Sequence, residues 1–199
     1  MKNIHKIKVI LVQMILISAF TFTISSCKKK EKTEDSKEVA TEKNEAKIHE
    51  PEIKAGAEFL VFAAESDQEE IGLGKLAEEK AYLADVKELG KKMIEGHTKS
   101  SDKIIALAKM KSFSLPDTPT DEVKENYKMM SEMKSNKKFD EAYCQKMINA
   151  HKIAISKFEK IANEGVDVDI KMLATEILPD LRKHLEMAET CQKKFDSMK

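Results

Sequence analysis

From Pro51 onward, apolar side chains recur three or four residues apart through four long stretches, and none of these alternates with the period of two that a half-buried strand needs. No Asn-Gly or Asp-Gly pair marks a hairpin. The expected fold class is all-α. A first long helix over 52–80 carries Phe59, Ala63, Glu70, Gly74, Ala77 and Ala81 on one face, and a tight connection follows near Leu83-Ala84. A second, over 85–111, presents Val86, Gly90, Met93, His97, Ser101, Ile104 and Ala108 and stops before Pro116 and Pro119. The polar stretch 112–138 holds one short helix, from an N-cap at Thr120 or Asp121 through Met133. A third long helix, 140–164, has Asp140 as its expected N-cap, Gly165 as its stop, and a stripe of Cys144, Met147, His151, Ile155, Phe158 and Ala162. The fourth, 169–196, repeats the pattern with Leu173, Ile177, Leu181, His184, Ala188, Cys191 and Phe195, and has Pro179 inside it as an expected kink. Two helical hairpins joined by a long connection make an antiparallel four-helix bundle over 51–199.

The N-terminal quarter is built differently. Residues 1–8 carry three Lys and no acid, an apolar run follows, and the run ends at Ile24-Ser25-Ser26-Cys27. This is the layout of an export signal, and its end resembles the bacterial lipobox, in which a small residue precedes a Cys that is acylated. Residues 1–26 are therefore expected to be a lipoprotein signal peptide, with Cys27 as the lipidation site and residues 27–50 as a disordered charged tether. That stretch holds too little apolar surface to offset the entropy of ordering it. The expected location is the bacterial envelope, lipid-anchored, at the outer membrane facing the periplasm. With 35 basic and 35 acidic side chains the net charge is zero, which argues against a nucleic-acid partner.

Helical register brings four polar residues together. Glu70 and His97 are equidistant from a turn between Leu83 and Ala84, and His151 and His184 are equidistant from a turn between Asp167 and Val168. If both turns lie at one end of the bundle, the two pairs differ in height by only about 4.5 Å. One carboxylate and three imidazoles then share a layer of the core, with Glu69 as the register alternative to Glu70. Such a layer is costly unless its members pair, protonate or share a metal. Glu70, His97, His151 and His184 are thus candidate ligands for a single iron, zinc, manganese or copper ion. The competing reading is a buried Glu-His hydrogen-bond network. A di-iron centre needs a Glu three residues before a His on two helices, and those positions here are Ile94, Ile148 and Leu181. Met93, Met147 and Met187 lie one turn from the layer, but on the same assumption about the turns they fall on different sides of it, which favours core filling over copper ligation. Cys144 and Cys191 face each other two turns beyond the histidine pair and are candidates for a disulfide. A short repeat, Lys-Met-Ile-x-x-His at Lys92–His97 and at Lys146–His151, fits either two similar amphipathic helices or an old duplication.

The order of Phe59-Leu60, Ala63-Ala64, Glu70, Leu73-Gly74 and Ala77, then Val86-Lys87, Met93-Ile94 and His97, then Phe139-Asp140, Tyr143, Met147 and His151, and finally Leu178-Pro179, Leu181 and His184-Leu185 resembles a known bacterial family. It is a family of ferritin-like envelope proteins catalogued as a domain of unknown function, number four-one-four-two, whose members are often labelled outer-membrane proteins or lipoproteins. The resemblance covers about 55–195 and implies a ferritin-like bundle without supplying an activity. Where that family commonly has Asp before the histidine of the second long helix, this chain has Gly96.

Three functions compete at this level. The first is a lipid-anchored bundle that holds one metal for storage, sensing or structure. Four protein ligands would close such a site, which argues against hydrolysis, so whether the chain is an enzyme stays open with the balance toward no. The second is a metal-free envelope interaction or stress-response module. The third is an enzyme using a His-carboxylate pair, with Ser100 or Ser101 near His97 as a nucleophile. Protein partners and a homodimer stay open.

Overall fold

The computed structural model describes residues 34–165 and 167–197. Cys27, the signal peptide and residues 28–33 of the tether lie outside the described residues. Within them the chain forms α1 (Ser36–Glu45), α2 (Pro51–Lys80), α3 (Ala84–Met110), α4 (Asp121–Glu132), α5 (Lys137–Glu164) and α6 (Val168–Asp196), with no strand among the described residues. None of these helices is long and apolar enough to cross a membrane.

Pro at the first position starts α2, where its missing N–H has no helical partner to lose. Thr120 caps α4 by accepting from the Val123 N–H, and Asp167 caps α6 by accepting from Ile170 at 3.1 Å. The cap of α5 is Asn136, whose side chain accepts from Lys138 and Phe139, which corrects the expectation of Asp140. Asp140 is fully buried, and its carboxylate accepts from the Tyr82 and Leu83 N–H groups at 2.9 and 2.7 Å. It thus serves the start of the neighbouring helix, α3, rather than its own. At the other end of α3, Ser112 takes a positive φ of 58° and the Phe113 N–H reaches back to Ala108 O at 2.9 Å, which turns the chain out of the helix.

These contacts also fix the topology. Asp140, near the start of α5, sits at the α2–α3 turn. Lys111, at the end of α3, bridges to Asp167 and Asp169 at 2.6 and 2.9 Å, where α6 begins. The two hairpin turns therefore lie at opposite ends of the bundle, which corrects the same-end assumption. The connection through α4 travels the length of the bundle to bring the chain back. Helices α2 and α3 pack together, as do α5 and α6, and α2 also packs on α5 and α3 on α6.

The apolar core is in two parts. One, toward the α2–α3 turn, holds Leu73, Val86, Met93, Phe139, Tyr143, Met147 and Phe195 among others. The other, toward the α5–α6 connection, holds Phe59, Leu60, Ile104, Phe158, Leu173 and Leu181 among others. With the turns at opposite ends, Met93, Met147 and Met187 fall on the same side of the histidine layer, all within or against the first cluster. That overturns the argument that they lie on different sides, and they pack there with leucines and aromatic rings. On the stripes, Ala154 is buried where Ile155 is half-buried, and Ser100 is more buried than Ser101. Cys144 and Cys191 join α5 and α6 as free thiols with their sulfurs 2.8 Å apart.

The reading of 27–50 as a tether is corrected over Ser36–Glu45. This stretch forms α1 and packs against α2. Its composition is that of a solvated segment, but its attachment is polar. Asn44 is buried, donates to Ser114 O at 2.9 Å and accepts from the Ser114 N–H at 2.7 Å. Lys37 pairs with Glu65 at 2.5 Å, and the Ser36 hydroxyl donates to Thr118 O at 2.7 Å. Two side-chain hydrogen bonds to one backbone unit are a specific dock that hydropathy does not register. Asn44→Ala is expected to lower unfolding stability by about 1–3 kcal/mol by leaving both Ser114 groups unpaired. Urea unfolding measures this, and wild-type stability in the variant would show that α1 does not dock.

Candidate metal centre

His97 comes from α3, His151 from α5 and His184 from α6, and all three are buried, at 3%, 1% and 7% exposure. Their ring centroids form a near-equilateral triangle with sides of 5.4, 5.2 and 5.5 Å. One nitrogen from each lies within 4.8 Å of the others, the one such grouping of His, Cys, Asp and Glu among the described residues. The layer sits between the two apolar clusters.

The ring nitrogens have identifiable duties. His151 Nδ1 is 2.8 Å from Met147 O. A carbonyl only accepts, so Nδ1 carries the proton and the lone pair is on Nε2. His151 Nε2 faces His97 Nε2 at 3.4 Å. His97 Nδ1 is 2.8 Å from Asp67 Oδ1, so with a ligand on Nε2 its proton sits on Nδ1 and Asp67 accepts it. A carboxylate behind a histidine in this way fixes its tautomer and ring orientation. His184 Nδ1 is buried without a hydrogen-bond partner.

Burial sets the charge state. It holds His97 and His184 down at about 4 and His151 at about 3, with the charges of neighbouring imidazoles adding to the shift of the last two. All three are neutral near pH 7, the form that offers a lone pair. Burial also pushes Asp67 well above the usual carboxylate range, opposed in part by the nearby Ser100 hydroxyl. Glu70 is raised well above its usual value, first by burial and then by Glu69 and Asp67, with Lys146 opposing.

The sequence expectation meets the structure unevenly. The three histidines converge. Glu70 stands outside the group, behind His151, with Oε1 3.6 Å from Nδ1 and Oε2 buried without a partner. Glu69 is turned elsewhere, held by Lys146 at 2.9 Å and by Asn126 at 2.8 Å. The expected set of four is thus a set of three. Asp67 was missed, and the reason is register. Because α2 ends at Lys80 and α3 begins at Ala84, the hairpin centres on Tyr82, and the α2 residue level with His97 is Asp67, three residues (about 4.5 Å) from Glu70. The close approach of Gly74 to Gly90, where a Cβ on either would meet the other's carbonyl oxygen at 2.8 or 2.7 Å, has the same centre. Ser100 contacts the Asp67 carboxyl instead of standing free as a nucleophile.

Gly96 has a spatial role. A Cβ there would lie 2.2 Å from His184 Cε1 and 2.6 Å from Nε2, so the missing side chain is what lets the His184 ring into the layer. On the α2–α5 side a cavity of about 530 Å³ reaches His97 and His151 and is also lined by Asp67, Glu70, Lys146 and Phe158.

Glu70 gives a pH-dependent test. Its folded-state pKa is above the unfolded value of 4.5, so burial costs nothing extra below that value, and the cost grows as pH rises toward the folded pKa. Glu70→Gln, which cannot ionise, is therefore expected to raise the unfolding temperature of the metal-free protein more at about pH 8 than at about pH 5. An equal shift at both pH values would reject a neutral Glu70.

The family described as a domain of unknown function (DUF4142) matches residues 37–191 of the chain. No curated protein and no solved structure matches it.

Proposed function

The chain belongs to the family described as a domain of unknown function (DUF4142), and we propose that it is a lipid-anchored envelope protein whose helical bundle binds one transition-metal ion through His97, His151 and His184. One observation carries the reading: three neutral, buried imidazoles with His97 Nε2 and His151 Nε2 3.4 Å apart. Two nitrogens each about 2.0–2.1 Å from a tetrahedral ion are about 3.3–3.4 Å apart. The same separation is long for a hydrogen bond. A metal-free network is the alternative, and it is disfavoured because it leaves His184 Nδ1, an imidazole nitrogen of the layer, buried without a partner. Imidazole donors suit zinc, copper and iron, and manganese remains on the list to be tested.

Elemental analysis of the purified protein, without a His tag and after reconstitution with iron, zinc, manganese and copper in turn, tests the reading. About one ion per chain is expected, the simplest stoichiometry for three ligands and an open position. The triple variant His97→Ala, His151→Ala, His184→Ala should hold none. Asp67→Ala should bind about 10–100-fold more weakly through the loss of the acceptor for His97 Nδ1–H, and Gly96→Ala should weaken binding by displacing His184. Wild-type protein that takes up none of the four metals would sink the proposal and favour the metal-free module.

The envelope assignment rests on the lipobox-like run ending at Cys27. An exported domain meets an oxidising environment, and there Cys144 and Cys191 are proposed to close a disulfide. The two thiols would pass two electrons and two protons to an exchanging disulfide of the glutathione type. Mass spectrometry of unreduced protein extracted from membranes is expected to find an acylated peptide beginning at Cys27 and a cross-link between Cys144 and Cys191. The cross-link should add about 2–4 kcal/mol to stability. An unmodified Cys27 would reject the anchor, and two free thiols would reject the bridge.

A further inference from the structure

We propose that the cavity between α2, α4 and α5 is a ligand site, in which a small organic anion reaches the open side of the three-histidine centre and supplies the remaining donor to its metal. The inference rests on the metal reading above and deepens it. Three protein ligands with a free position are the pattern of zinc sites that take water or substrate, whereas structural sites are closed by four. Here the fourth residue expected from the sequence, Glu70, stands behind His151 and does not close the centre.

Access is one-sided. The cavity of about 530 Å³ has His97 and His151 in its wall but not His184, whose ring is pressed against α3 at Gly96. A volume of this size lies within the range of small-molecule sites, roughly 300–1,000 Å³. Its walls divide by chemistry. Phe62, Ala154 and Phe158 offer an apolar side, while Gln145, Asn149, Glu122 and the ion pairs Lys37–Glu65 and Lys146–Glu69 offer a polar one, so the attraction for an anion comes from the ion and not from the walls. Glu70 lines the same space with a buried oxygen, Oε2, that has no partner. That unpaired atom is the second sign, independent of the histidines, that something polar belongs there.

Charge selects the class. Three neutral imidazoles leave most of a divalent ion's charge uncompensated, and in a buried centre that charge favours an anionic donor. The apolar wall favours an organic body over a bare inorganic ion, so a carboxylate on a small aromatic or aliphatic group fits best.

The test separates the two layers of argument. The purified protein is loaded with cobalt(II), whose visible absorption reports its ligands, and titrated with azide and with benzoate. Both are expected to change the spectrum saturably, with benzoate the tighter. Ala150→Phe fills the cavity from its α5 wall without altering a ligand. It should keep the cobalt stoichiometry and weaken benzoate by about tenfold or more. A homologous series in the wild-type protein, acetate, benzoate and naphthoate, gives the same information if that variant fails to fold. Affinity should rise from acetate to benzoate. Wild-type protein that binds no cobalt would defeat the metal reading itself. Bound cobalt whose spectrum neither anion alters, or affinities indifferent to the apolar body, would overturn this inference alone.

Discussion

A layer of buried polar side chains cuts the core of this bundle in two, and the rest of the structure is arranged around the need to accommodate it. Asp67, Glu70, His97, Ser100, His151 and His184 are all buried, with one apolar cluster toward the α2–α3 turn and another toward the α5–α6 connection. Charged groups in such a place would cost several kcal/mol each. The layer is tolerated because burial disfavours its charged forms, pushing the two carboxyls up and the three imidazoles down. Neutral imidazoles are also the ligating form, so the condition that lets the layer exist is the one that readies it for a metal.

The layer sits near mid-length because the connectivity allows it to. The chain descends α3, returns past α2 through α4, and descends α5 again. Each long helix then contributes one side to a common level. Asp140 and Lys111 lock the two ends of this path, the first by capping α3 from α5 and the second by joining α3 to α6. The returning segment does more than connect. Val123 and Asn126 of α4 form part of the cavity wall, and Asn126 and Lys146 hold Glu69 out of the centre. Docked beside it, α1 places Lys37 at Glu65 on the same rim.

Glu70 and Asp67 show how far sequence reasoning reaches and where it stops. Both lie on the buried face of α2, so their availability was legible from spacing alone. Which of them stands level with His97 depends on the turn, and a displacement of one and a half residues in its centre exchanges one carboxylate for the other. The level shared by the three histidines survived a wrong assumption about which end each turn occupies, because a residue near the middle of a long helix is about as far from one end as from the other. The methionines carried no such protection. Reversing one hairpin put all three on the same side of the layer. For α1, composition indicated a solvated segment, and the deciding contacts were a pair of hydrogen bonds between Asn44 and a backbone unit 70 residues away.

Sequence by itself determined that the chain is helical, where the long helices begin and end to within a few residues, which faces are apolar, and that three histidines interrupt those faces. These are consequences of local periodicity and capping, which depend on neighbours within a few turns. Tertiary structure alone decided the end-to-end sense of the two hairpins, the choice of Asp67 over Glu70 behind His97, the space Gly96 leaves for His184, and the open cavity beside the centre. Each of these depends on how helices meet across distances that no local pattern encodes, and a shift of one helical turn, about 5.4 Å, is enough to change which atoms meet.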